Sequence, residues 1–112
     1  MTIWGLVGGT LQCADDGARC TLRFAPSEPF FAGHFPGYPI VPGMVMLESL
    51  VRLAQHLEPS ATGLSEIHDA KFILQVRPGE DMLCHVQRQL SGGFAGEITT
   101  GGRAALKVHF TL

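Results

Sequence analysis

At 112 residues the chain has room for one domain, spanning 1–112, and one core, because folding a chain of this size buries only about two-thirds of its unfolded surface. Hydrophobic residues make up 46% and charged residues 16%, against the roughly 25% charge of an average soluble domain, so one copy has too little charge to cover itself and an oligomer is expected. A net charge of −2 with scattered Lys and Arg argues against nucleic acid as a partner, and no run approaches the roughly 18 apolar residues a membrane span needs, so a cytoplasmic location is expected.

Taken in chain order, Cys20, Leu22 and Phe24 alternate with Arg19, Thr21 and Arg23, the period-two signature of a half-buried strand. Cys13, Cys20 and Cys84 are odd in number and form no Cys-x-x-Cys pair. They read as small buried hydrophobes rather than a disulfide framework or a zinc site. The best helix candidate opens at Pro42-Gly43, where proline suits the first turn, and runs to about Leu57. Met44, Val45, Met46, Leu47, Leu50, Val51, Leu53 and Ala54 leave its first two turns almost without a polar stripe, the pattern of a helix surrounded by protein. Arg52, Gln55, His56 and Glu58 gather late, so its far end is expected to be the wet one.

A strand is expected around Phe72. Met82, Cys84 and Val86 then alternate with Leu83, His85 and Gln87, and Ala104, Leu106, Val108, Phe110 and Leu112 alternate with Arg103, Ala105, Lys107, His109 and Thr111. Pro78-Gly79-Glu80, Ser91-Gly92-Gly93 and Gly101-Gly102 are turns of hairpin length, so the second half reads as an antiparallel meander. One helix packed against antiparallel strands is an α+β arrangement.

The chemistry concentrates between Ser27 and Glu48. His34 stands in a Gly/Pro-rich turn, and fourteen positions later Glu48 interrupts an oily helix. A buried carboxylate costs several kcal/mol unless it has a partner or a task, and His34 is the candidate for both. The competing reading makes His34 a turn residue and Glu48 the i, i+4 ion-pair partner of Arg52. Met44, Met46 and Met82 fit either an acyl tunnel or an ordinary core. His68-Asp69 reads as a solvated loop pair, His56 and His109 as exposed, and no His or Cys spacing suggests a metal or a cofactor.

The run Glu28-Pro29-Phe30-Phe31, then Gly33-His34-Phe35-Pro36-Gly37, then Pro39-Ile40, Pro42-Gly43 and a helical Glu48 resembles the hotdog-fold β-hydroxyacyl-(acyl carrier protein) dehydratases at every fixed position of their pattern. A weaker likeness continues through Asp69-Ala70-Lys71-Phe72 and Val76-Arg77-Pro78-Gly79-Glu80. The resemblance implies a hotdog fold, an antiparallel sheet wrapped around one long central helix. It implies dehydration of 3-hydroxyacyl thioesters on acyl carrier protein to 2-enoyl thioesters, in fatty-acid, polyketide or polyene synthesis. His34 and Glu48 become the catalytic pair, contributed by different subunits, and the Gly43 amide receives the thioester oxygen, with Pro42, Phe35 and Arg52 beside the substrate.

The chemistry asks for these groups in its own right. His can take and return a proton near neutrality, and Gly43 at a helix start offers an unpaired N–H at the positive end of the dipole. Glu48 inside the helix is expected to have a raised pKa through desolvation, as an acid working near neutrality requires. Two departures qualify the likeness. Arg52 stands where the family places a Gln one turn after the Glu, and Ile73, Leu74 and Gln75 replace its basic stretch and proline. The family's Leu-Pro-His-Arg-Tyr-Pro stretch is lacking, which points to a specialised relative. The expected partners are the carrier protein and a second subunit, as a homodimer, a trimer of dimers or a heterodimer. The alternative functions are a hotdog thioesterase and a catalytically silent dehydratase-like subunit.

Overall fold

A computed structural model describes residues 3–31, 37 and 39–112. Six strands, β1 (Gln12–Cys13), β2 (Gly17–Leu22), β3 (Glu66–Phe72), β4 (Met82–Arg88), β5 (Phe94–Thr100) and β6 (Arg103–Thr111), form one antiparallel sheet in the order β1-β2-β4-β5-β6-β3. The one α-helix among the described residues, α1 (Gly43–Gln55), lies across β2, β4 and β5. This is the hotdog architecture.

Alternation does most of the work. In β4 the buried residues are Met82, Cys84 and Val86, and in β5 Phe94, Gly96, Ile98 and Thr100 take the same face. Their other faces carry a polar row across the sheet, in which Gln12, Arg19, His85, Glu97, Lys107 and Lys71 are successive cross-strand neighbours. In β6 a bulge between the Ile98–Leu106 and Thr99–Ala104 pairs interrupts the expected alternation, so Ala105 and Leu106 are both buried. The Gly101-Gly102 loop joins β5 to β6 with both residues at positive φ, 57° and 78°, as a two-residue hairpin of matching twist requires.

Two expectations about connectivity are corrected. Pro78-Gly79-Glu80 is not a hairpin turn, because β3 pairs with β6 and β4 pairs with β2; the turn lies on a crossover and is held by Gly79 N–H donating to Phe24 O at 2.8 Å. Cys13 is exposed rather than buried, while Cys20 and Cys84 are buried cross-strand neighbours as free thiols. The contact with Cys20, reinforced by burial, holds the Cys84 thiol well above its ordinary range.

The helix meets the sheet closely at Gly96. A Cβ there would come within 3.1 Å of Leu50 Cδ1, 3.2 Å of Val108 Cγ1 and 3.3 Å of Phe110 Cε1, all fully buried side chains. Arg88 ties the far end of the helix to the sheet: Nη1 donates to Glu58 Oε1 and Nη2 to Leu57 O, each at 2.6 Å, and Nε donates to Asp15 O at 3.0 Å.

The wet end of α1 is the opposite of the one expected. Gln55 is buried, donating to Ala61 O at 3.4 Å, and His56 is half-buried, whereas Met44 is 73% exposed and Glu48 is exposed. The helix is oily in composition, but its register on the sheet leaves one uncovered stripe, Met44, Glu48 and Arg52 at i, i+4, i+8. Met46 and Met82 are core residues.

Candidate active site

The motif is anchored on both flanks. Before it, Pro29–Phe31 forms a 3-10 turn in which Phe30 meets Phe24 edge-on at 5.1 Å and Phe31 is buried. After it, Val41 is buried and its N–H donates to Val76 O at 2.7 Å. His34 and Phe35, named from the sequence as base and substrate contact, lie outside the described residues.

Pro42 caps α1 in an extended conformation with no side-chain cap. Its carbonyl accepts the N–H groups of Val45 and Met46 at 3.0 and 3.2 Å, while Gly43 and Met44, first in the helix, have no acceptor among the described residues. The space where a Cβ of Gly43 would sit is already filled: it would fall 2.8 Å from Phe72 Cε1 and 3.3 Å from Cδ1 and Cζ. The missing side chain therefore makes room for an aromatic ring of this chain beside that amide, and Phe72, 54% exposed, joins the candidate site.

Glu48 does not meet the expectation of burial. Its side chain is 48% exposed, so this chain alone does not desolvate it. The i, i+4 pairing with Arg52 is present: Arg52 Nε donates to Glu48 Oε1 at 3.0 Å. The guanidinium also lies 4.7 Å from the ring centroid of Trp4, a residue that sequence reasoning passed over for want of any local pattern linking it to the helix. Beside the pair a cavity of about 220 Å³ is lined by Glu48, Arg52 and Gln55 of α1 and by Thr62, Gly63 and Leu64. Larger depressions of about 500 Å³ on the outer face contain no motif residue.

The His68-Asp69 neighbours do not act as a dyad. His68 Nε2 lies 2.7 Å from Thr111 Oγ1 and Nδ1 lies 3.4 Å from Glu66, whereas Asp69 pairs with His109 at 4.0 Å. Glu66, His68, Asp69 and His109 are exposed side chains on β3 and β6, and among the described residues no cluster of three or more His, Cys, Asp or Glu could hold a metal ion.

Residues 10–100 match the family described as ApeI-like, ApeI dehydratase. The chain belongs to this dehydratase family. It is similar to the 3-hydroxyacyl-[acyl-carrier-protein] dehydratase FabZ of Rickettsia massiliae (strain Mtu5), 36% identical over 97 residues that cover 76% of this chain and 67% of that protein. The FabZ of Lactobacillus helveticus (strain DPC 4571) is 33% identical over 96 residues, covering 80% and 65%. The chain thus spans about two-thirds of the length of these relatives. Among solved structures, the fold is shared with the dehydratase heterocomplex ApeI:P from Xenorhabdus doucetiae, at a TM-score of 0.79 and 24% identity, with 89% of each chain covered. An uncharacterized protein from Erwinia carotovora subsp. atroseptica shares it at a TM-score of 0.71 and 22% identity, over 99% and 95%. The candidate site of this chain is the Gly43–Glu48 stretch of α1. There the described residues bring together an unpaired amide, an aromatic wall and an open carboxylate.

Proposed function

We propose that the chain dehydrates 3-hydroxyacyl thioesters carried by acyl carrier protein, releasing water and leaving a 2-enoyl thioester. The observation that carries this reading is the placement on one helix of an amide with no acceptor among the described residues, at Gly43, and a solvent-facing carboxylate five residues on, at Glu48. Five residues are about 7.5 Å along a helix axis, a separation that an acyl chain lying between thioester and hydroxyl can bridge.

In this mechanism the Gly43 N–H receives the thioester oxygen as negative charge develops there, an interaction worth about 3–4 kcal/mol in the transition state. His34 takes the α-proton. The carbon–oxygen bond then breaks, the electron pair of the former C–H bond forms the double bond, and the leaving hydroxyl departs as water with a proton returned from the His34–Glu48 pair. Phe72 walls the acyl chain beside the amide, with Pro42 fixing the helix start.

Two features support a second subunit completing the site. Strand β3 ends the sheet with every residue exposed, including the apolar Ile67 and Phe72, and α1 leaves its Met44–Glu48–Arg52 stripe open. A second copy adding to this edge would cover both and bring its own His34 to Glu48. The species expected in solution is therefore at least twice the 12.0 kDa chain, as sedimentation would measure.

The deciding experiment incubates the purified assembly with 3-hydroxyacyl carrier proteins of graded chain length and follows the loss of water by mass. Absence of product at every length from folded protein overturns the reading, and release of free thiol redirects it to a thioesterase. The Glu48–Arg52 ion pair favours one other reading, a silent subunit. That reading requires activity to appear only on co-expression with a related subunit.

A further inference from the structure

The Glu48–Arg52 pair has a third member. Arg52 reaches Glu48 through Nε at 3.0 Å while its Cζ lies over the Trp4 ring, 4.7 Å from the centroid. An exposed i, i+4 pair on its own is a loose contact between two long side chains, each free to leave it. Stacking on an indole removes much of that freedom, because a guanidinium is planar, permanently charged and weakly hydrated.

Trp4 is itself held. Ile3 beside it is buried, the Gly5 carbonyl accepts Arg23 N–H at 2.8 Å, Leu6 bridges Leu22, and Val7 N–H donates to Thr21 O at 2.9 Å. The turn at Trp4-Gly5 depends on glycine: Gly5 has φ +75°, and a Cβ would sit 2.7 Å from Phe24 Cε1. A chain of contacts therefore runs from the segment beside β2 through Trp4, itself 49% exposed, and Arg52 to one oxygen of Glu48.

We propose that Trp4 and Arg52 are positioning residues that orient the Glu48 carboxylate for dehydration, a role that rests on the reading of Glu48 given above. With Oε1 engaged by Arg52, the other oxygen of the half-exposed carboxylate is the one left to meet the substrate. A carboxylate paired with a guanidinium accepts hydrogen bonds and donates none. Glu48 then holds the leaving hydroxyl and the water it becomes, and the proton delivered to that hydroxyl is the one His34 removed from the α-carbon. One base carries the proton from carbon to oxygen, and no other co-reactant is needed.

The test compares Arg52→Gln, Arg52→Lys, Trp4→Leu, Trp4→Phe and Glu48→Gln in the assembled protein, reading kcat and KM on a 3-hydroxyacyl carrier protein together with the emission of Trp4, the single tryptophan. Misaligning a catalytic group by about 1 Å costs up to about 100-fold. Arg52→Gln is therefore expected to lower kcat about 10- to 100-fold with KM within about twofold, and to shift Trp4 emission. Arg52→Lys, lacking the planar fork, falls between Arg52→Gln and wild type; Trp4→Leu lowers kcat, and Trp4→Phe restores most of it. If Arg52→Gln and Trp4→Leu keep wild-type kcat while Glu48→Gln is inactive, the positioning role is wrong and the dehydratase reading stands. Wild-type turnover by Glu48→Gln overturns both.

Discussion

Glu48→Gln separates a catalytic carboxylate from a structural one. The substitution keeps the shape of the side chain and an oxygen for Arg52 Nε, and removes only the charge. Because the side chain is 48% exposed, the pair is a surface i, i+4 contact worth about 0.3–0.5 kcal/mol. An unfolding entropy of about 2.1 cal/mol/K per residue gives about 0.24 kcal/mol/K for 112 residues, so Tm should fall by only about 1–2 °C. Loss of the charged group that holds the departing hydroxyl should cost about 10²–10⁴ in kcat, or about 3–5 kcal/mol of transition-state stabilisation. Thermal unfolding by circular dichroism gives the first quantity, and enoyl-thioester absorbance gives the second. A rate within a factor of a few of wild type would refute the chemical role. A Tm loss beyond about 5 °C would refute the premise that the carboxylate contributes little to folding.

Gly96→Val should be strongly destabilising, because its Cβ alone would already meet Leu50, Val108 and Phe110 at 3.1–3.3 Å in a filled core; overpacking of about 1–3 kcal/mol predicts a Tm lower by about 4–12 °C in a calorimetric scan. Arg88→Ala removes donors to Leu57 O, Glu58 and Asp15 O. About 1–2 kcal/mol should disappear from the urea unfolding free energy, a figure reduced because the side chain is more than one-third exposed, and amide exchange at the end of α1 should quicken. Maleimide should label Cys13 alone in the native protein and all three cysteines after unfolding, since Cys20 and Cys84 are buried and the Cys84 thiol is held protonated by its neighbour and by burial; rapid native labelling at three sites would contradict the packing of β2 on β4.

Period-two runs place β2, β4 and β6, because which face of a strand is buried is written residue by residue. Pro42-Gly43 marks the start of α1 within a residue. The contiguous run from Glu28 to Glu48 carries the family, since such a motif needs no knowledge of what lies across the fold.

What the sequence could not supply are relations between distant segments. The pairing of β3 with β6, which turns Pro78-Gly79-Glu80 from a hairpin into a crossover, depends on competition among strands for the same edge. The helix pattern shows that α1 is oily but not how it is rotated on the sheet, and that rotation alone leaves Glu48 exposed beside Arg52. Trp4 over Arg52 and Phe72 against Gly43 join residues from different parts of the fold with no shared periodicity. The sequence by itself determined the helix, most of the strands and the family, and named the candidate reacting groups, because those are local in the chain. Only the tertiary structure decided which face of the helix stays open and what holds its carboxylate, because both follow from packing against segments far away in sequence.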